Sequence, residues 1–282
     1  MTTTGQKDTH AFRQEVEECA AFLAARLRAT PEILIQLGTG LGELAGALAE
    51  PQRFPYAELP HFPKTTAPSH CGQLWLGRLA GRNLAILQGR FHFYEGHSAQ
   101  RVGFPIRVLS RLGARMALIA NASGGLNPAF RPGDIMLAND HINLLPDNPL
   151  RGPNQDQWGP RFPDCSAPYD AGLRQGLMAS AAALQLPGLR SGVYVCVPGP
   201  SLETPAETHY FRQIGGDAIG MSSVPEVLTA LHAGMRVAML SVIANVNDSD
   251  AFTPIRIEDI VAAAQAAEPR LRALIHHFIA AS

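Results

Sequence analysis

The chain has 282 residues, of which 17% are charged and 46% apolar, and its formal net charge is −1. That length allows one sizeable core and is short for two generous domains. Near-neutrality gives no reason to expect nucleic acid as a partner, though it is compatible with a local basic pocket.

No run approaches the roughly 18 to 20 apolar residues that span a bilayer, and residues 1–8 lack an apolar secretory core. The four cysteines, Cys19, Cys71, Cys165 and Cys196, contain no Cys-x-x-Cys pair. A cytoplasmic protein without membrane contact or a disulfide framework is expected.

Phe12, Val16, Cys19, Phe22 and Leu23 recur at helical spacing and predict a helix over 11–27. After Pro31, the run Ile33–Leu37 predicts the first strand, residues 38–42 a glycine turn, and 43–50 a short helix. Residues 54–68 carry too many prolines and aromatics for a long helix and are read as irregular, crossing the surface or approaching a site. Gln73–Leu79 and 83–87 predict a hairpin around Ala80, Gly81 and Arg82. A crossover helix over 104–112 and strands over 116–120 and 134–137 come next.

Residues 145–168 show no pattern of their own, which points to a functional or interfacial role. A helix over 169–184, a strand over 192–197 and a helix over 204–214 follow, with Pro205 at an early helical position. Residues 218–221 lead into a helix over 225–233, a strand over 236–245 and a last helix over 257–279, where Pro269 marks a potential break. Strands alternating with helices predict an α/β fold, one domain over 1–282 with a central mixed β-sheet flanked by helices.

The densest chemistry lies in Gln88-Gly89-Arg90-Phe91-His92-Phe93-Tyr94-Glu95-Gly96-His97, directly after an apolar strand. If that strand continues, Arg90 and His92 share one side. A guanidinium fork beside an imidazole suits a phosphate oxyanion, whereas the plainer reading is a surface ion pair and a packed histidine. Two more glycine-bearing segments follow strands: Gly38-Thr39-Gly40-Leu41-Gly42 and Asn121-Ala122-Ser123-Gly124-Gly125-Leu126-Asn127. Three such loops at strand ends are expected to assemble one ligand crevice.

The first of these loops can be a tight connection or an anion site, since it lacks the lysine of a nucleotide P-loop. Glu203 either caps backbone donors or accepts two hydrogens from a heterocycle. Asn245 either joins a packing network or reads a donor and an acceptor on a ligand edge. His61, His70, His92, His97 and His141 could meet in space, but no cluster has metal-ligand spacing.

Together these segments resemble the trimeric purine nucleoside phosphorylases and the related methylthioadenosine phosphorylases, from Ile33 to the last helix. Val197-Pro198-Gly199-Pro200-Ser201-Leu202-Glu203-Thr204 and Gly220-Met221-Ser222-Ser223-Val224-Pro225-Glu226 add two motifs in the same order. The resemblance implies a nucleoside-phosphorylase-like fold and a homotrimer. It also implies a reaction without metal or organic cofactor, in which orthophosphate is a co-substrate.

By the same resemblance, Thr39, His70, Arg90, His92, Ala122 and Ser222 match the phosphate site. Glu203 and Asn245 match the purine-reading pair, and Tyr94 and Met221 the ribose contacts. Arg90, His92, Asn245 and Glu203 would carry catalysis, and Phe162 matches an aromatic that reaches the neighbouring subunit's pocket. The implied reaction is reversible phosphorolysis of purine nucleosides to free base and ribose 1-phosphate.

Asn245 stands where methylthioadenosine phosphorylases usually carry aspartate, so 6-oxopurines such as inosine and guanosine are expected, with xanthosine left open. Leu202 replaces an aromatic common beside the glutamate. Residues 246–250 depart from the family pattern, and Ile257 aligns with a histidine that binds the ribose 5′-hydroxyl in mammalian-type members. The other readings are a nucleoside-binding protein without catalysis and a methylthioadenosine or methylthioinosine phosphorylase.

Overall fold

The computed structural model describes residues 4–38, 41–66, 71–248, 251–254 and 256–282. Among them α1 (Thr4–Ala24) precedes β1 (Ile33–Leu37), and a 3-10 turn over Gly42–Ala47 leads to β2 (Ala49–Pro55). Then come β3 (Gln73–Leu79), β4 (Arg82–Gln88), α2 (Ala99–Val102), α3 (Phe104–Arg111), β5 (Met116–Gly125) and β6 (Ile135–Asn143). The last part comprises α4 (Ala171–Ala183), β7 (Leu189–Cys196), α5 (Pro205–Gln213), β8 (Ala218–Gly220), α6 (Val224–His232), β9 (Arg236–Val246) and α7 (Ile257–Ala280).

The strands form one mixed sheet in the order β2-β3-β4-β1-β5-β8-β7-β6-β9, and β5 also pairs with β9. β9 runs along one whole edge of β5, from Met116 opposite Arg236 to Gly125 opposite Val246. The other edge is shared: its first half bonds β1, and Gly124 and Gly125 at its end bond β8. So β5, β8, β7, β6 and β9 close into a ring, while β1, β4, β3 and β2 continue as an open sheet. The ring brings the ends of β5, β8 and β9 together.

Helices cover both faces, which is why β1 is apolar at nearly every position rather than alternating. Leu34 joins a core with α1, α3 and α6 residues such as Val16, Ile106 and Val227. Ile33, Ile35 and Leu37 join a second core with Leu177 of α4 and Leu274 of α7. The β3–β4 hairpin turns on Ala80 and Gly81, both at positive φ (49° and 83°), the conformation a two-residue turn needs to match strand twist.

Three expectations are corrected. Residues 43–50 make only a 3-10 turn and then enter β2, so the stretch expected to be irregular from 54 begins inside a strand. Residues 121–125 belong to β5 and 139–143 to β6. Their polar side chains find partners elsewhere in the fold instead of marking a loop, Asn121 and Ser123 with Ser241, His141 with Tyr169 and Asn143 with the Leu145 N–H. Finally, α7 passes through Pro269 unbroken. Pro269 and Gln265, whose carbonyl loses its helical partner, both face solvent, where water can take that bond.

Candidate active site

A cavity of about 300 Å³ opens where β5, β8 and β9 converge. It is lined by Arg90, His92, Tyr94, Ala122, Glu203, Met221, Ser222 and Asn245, with Gly124, Pro200, Leu202, Ile257 and Ile260 also on its wall. Eight of the residues matched by resemblance therefore meet in one place. Thr39 and His70 lie outside the described residues.

Arg90 does not sit on a continuing strand, as the alternation argument required. β4 stops at Gln88, and Gly89 turns at φ 116°. The turn is held by two donors to the Gly89 carbonyl, Gln36 Nε2 and Tyr56 Oη, each at 2.9 Å. Close approach matters here too: a Cβ on Gly38, at the end of β1, would come within 2.9 Å of Asn121 Cα in β5.

The Arg90 guanidinium is 2% exposed. Its Nη1 donates to Ser222 Oγ at 2.9 Å and Ser223 Oγ at 3.2 Å, and Nη2 donates to the Ala120 carbonyl at 3.0 Å. Nε lies 3.2 Å from Glu226 Oε1, a charge contact without an aligned hydrogen bond. Burial pushes the Glu226 carboxyl up, and Arg90 opposes that shift. Breaking such a buried pair by removing one partner is costly, because the other charge is stranded.

His92 is 6% exposed, and its Nδ1 lies 2.7 Å from Glu95 Oε1. A carboxylate can only accept, so Nδ1 carries the hydrogen and the tautomer is fixed. Burial, aided by the Arg90 charge, pushes the imidazole down to about 4 despite Glu95, so His92 is neutral near pH 7. Burial would raise Glu95, but donors from the Thr66 hydroxyl and N–H, each 2.6 Å from Oε2, and from His92 hold it at about 2. Tyr94 stacks on the His92 ring with centroids 4.5 Å apart.

Ser222 and Ser223 sit at the start of α6. Ser223 has φ 72° and ψ −42°, and the Val224 N–H donates to the Ser222 carbonyl at 2.9 Å, closing a γ-turn. That conformation is strained by about 1–3 kcal/mol for a residue with a Cβ. It is held by the Ser223 hydroxyl, which accepts from Asn121 Nδ2 at 2.8 Å as well as from Arg90. Asn121 in turn accepts from Ser241 of β9.

On the α5 side, the capping role considered for Glu203 belongs to its neighbours. Thr204 accepts from the Glu207 N–H, and Glu207 accepts from the Thr204 N–H. Glu203 is left for the cavity, its carboxyl raised by burial. Asn245 faces it through an intermediary: Asn245 Nδ2 donates to Asn247 Oδ1 at 2.5 Å, and Asn247 Nδ2 donates to Glu203 Oε2 at 3.4 Å.

A family model described as the phosphorylase superfamily matches residues 32–280. Purine nucleoside phosphorylase 1 of Bacillus subtilis is 47% identical over 83% of this chain and 86% of its own length. The purine nucleoside phosphorylase of Bos taurus is 40% identical over 93% of each chain. The chain belongs to the purine nucleoside phosphorylase family. Its backbone agrees: a Schistosoma purine nucleoside phosphorylase, solved in complex with hypoxanthine, superposes with a TM-score of 0.90 at 36% identity. The superposition covers 95% of this chain and 96% of that one.

Other expected residues do not gather in this cavity. Phe162 is 86% exposed and lies under the Arg161 guanidinium, 5.6 Å from its ring centre. Arg161 in turn donates to the Leu150 and Gly152 carbonyls. His61 pairs with Glu18, His97 with the Lys64 carbonyl and His141 with Tyr169, so these three do not join His92. Among the described residues no group of His, Cys, Asp and Glu could hold a metal, and no helix is long and apolar enough to cross a membrane.

Sequence reasoning missed Glu95, Ser223, Glu226 and Asn247. The first three stand inside quoted motifs but without an assigned partner, since partner choice depends on β4, α6 and β5 meeting in space. Asn247 lay in the stretch that departs from the family pattern, and that departure was its signal.

Proposed function

We propose that this chain is a purine nucleoside phosphorylase that converts 6-oxopurine nucleosides, inosine and guanosine, reversibly to free base and ribose 1-phosphate. The observation that carries this reading is one cavity lined both by a buried, serine-bound Arg90 and by Glu203 and Asn245, which Asn247 bridges. Its volume sits at the lower end of small-molecule clefts, which run from roughly 300 to 1,000 Å³.

Arg90, neutral His92, the Ser222 hydroxyl and the Ala122 backbone orient orthophosphate, with Thr39 and His70 as further members. Phosphate attacks C1′ as the glycosidic bond breaks, and its negative charge stabilises the cationic sugar. Met221 and Tyr94 contact the ribose. Asn245 stabilises charge flowing into the departing purine by donating to the 6-oxo group, and Glu203 accepts N1–H. Adenine offers an acceptor at N1, so an ionised Glu203 opposes it.

The chain acts as one domain over 1–282, in a cytoplasmic homotrimer where Phe162 covers a neighbour's pocket. Ile257 and Ile260 on the cavity wall favour a second reading with a 5′-methylthio-6-oxopurine nucleoside as substrate.

The test incubates inosine, guanosine, xanthosine, adenosine, methylthioadenosine and methylthioinosine with and without phosphate and separates the products. Base released from inosine and guanosine only with phosphate, together with ribose 1-phosphate, is the expected result. Base released without phosphate would make the protein a hydrolase, and binding without release would make it a binding protein.

A further inference from the structure

Asn247 is 3% exposed, and its backbone is pinned on both sides. Its N–H donates to the Gly125 carbonyl at 2.8 Å. Its own carbonyl accepts from Arg212 Nη2 at 2.9 Å, while Arg212 Nε donates to the Leu126 carbonyl at 2.7 Å. The side chain is thereby held over the end of β5, where a Cβ added to Gly124 would lie 3.4 Å from Asn247 Nδ2 and 3.7 Å from Asn245 Oδ1. It bridges two groups that belong to the cavity, Glu203 and Asn245.

The bridge has a direction. An ionised carboxylate has no hydrogen to give, so Asn247 must turn Nδ2 toward Glu203. A primary amide has one oxygen end and one nitrogen end, so Asn247 Oδ1 must then face Asn245. Asn245 must answer with its own Nδ2, since two facing amide oxygens would repel. The orientation of Asn245, which no covalent constraint fixes, is therefore set by a charge two residues removed. A flipped Asn245 would set its oxygen against the buried Asn247 Oδ1 and leave that oxygen without a donor, and an unsatisfied buried polar group is costly.

We propose that Asn247 is a specificity-determining positioning residue: it relays the charge of Glu203 to Asn245 and so holds the Asn245 donor toward the six-position of the base, selecting 6-oxopurines over 6-aminopurines. This rests on the proposed purine phosphorolysis, in which Asn245 and Glu203 read the base. An oxygen at the six-position accepts from the held Nδ2, whereas an amine presents a donor to a donor. The relay has no expected contact with phosphate.

The experiment compares wild type, Asn247→Ala, the similarly sized Asn247→Leu, and Asn247→Asp. The last keeps an acceptor for Asn245 Nδ2. Measured are kcat/KM for inosine and adenosine, KM for phosphate, and equilibrium binding of hypoxanthine and adenine, with thermal melting as the folding check. Asn247→Ala and Asn247→Leu are expected to lower the inosine-to-adenosine ratio at least tenfold and leave the phosphate KM within twofold. Asn247→Asp keeps the size and the acceptor but cannot donate to Glu203 and sets a second carboxylate against it, so it too should lower the ratio at least threefold, a loss that a merely packing role would not produce.

A ratio within twofold of wild type in either folded alanine or leucine variant overturns the proposal. So does an equal loss for both nucleosides. Should wild type split neither nucleoside with phosphate, the phosphorolysis reading fails. The hypoxanthine-to-adenine binding ratio then decides the relay by the same tenfold and twofold limits.

Discussion

Glu95 holds its charge through contacts that only the folded chain supplies. Its carboxyl is held at about 2, against an ordinary value of 4.5, by Thr66 and His92 despite burial. A carboxyl depressed by folding contributes stability that is present above the unfolded value and is lost as pH falls through the folded one. Allowing for partial access to solvent, the contribution is about 1–2 kcal/mol. Glu95→Gln should therefore lower the urea midpoint near pH 7. The gap from wild type should narrow below about pH 4.5 and close near pH 2. Midpoints measured at several pH values check this, and a gap independent of pH would place the loss in packing.

The same residue shows what was legible at this scale. The density of polar and aromatic groups from Gln88 to His97 marked a site, and Arg90 and His92 do line the cavity. What orients them was not readable. Glu226 reaches Arg90 only because α6 starts beside β5, and the His92 tautomer depends on a carboxylate three residues on that a 3-10 turn brings back. Glu203 carries the pH consequence for substrate. Its carboxyl is raised by burial, so inosine binding should weaken on acidification from a higher pH than an ordinary glutamate would give.

At the level of elements, apolar runs and glycine turns located β1, the β3–β4 hairpin, β7 and most helices to within a few residues. Polarity misled where the ring of strands supplies partners of its own. Asn121 and Ser123 read as loop residues, yet Ser241 on the neighbouring β9 lies within hydrogen-bond distance of both. The first turn of α7 shows the reverse, an apolar residue at a ligand wall. Ile257 is 60% exposed yet lines the cavity beside Ile260. Arg256 lines an adjacent small hollow instead, with its Nε 4.0 Å from Glu258.

If the ribose 5′ end lies at Ile257, as the family resemblance implies, an aliphatic side chain offers its hydroxyl no hydrogen bond, and this end of the proposed site should discriminate weakly. Inosine and 5′-deoxyinosine are expected to differ by less than about 2 kcal/mol in kcat/KM at saturating phosphate. A loss above roughly 100-fold for the deoxy substrate, about 2.7 kcal/mol, would show that another group holds the hydroxyl.

At the scale of the whole molecule, the patternless stretch over 145–168 was legible as an excursion but not as a shape. It folds back through bonds that only the structure supplies: Arg161 to the Leu150 and Gly152 carbonyls, and Asn154 to the Gly159 carbonyl. The result leaves Phe162 at 86% exposure, while the cavity of the same chain is lined by none of this segment. A large aromatic held in water on a braced loop loses the burial that usually stabilises it, and a subunit interface recovers that burial. In the proposed trimer Phe162 covers the neighbour's nucleoside and excludes water there. Phe162→Ala should then raise the KM for inosine about tenfold, roughly 1.4 kcal/mol, while the phosphate KM changes little. Sedimentation should give three times the mass of one chain for wild type, and specific activity should fall on dilution below the trimer's dissociation range. A fully active monomer, or a Phe162→Ala protein with an unchanged inosine KM, would remove the shared-pocket account.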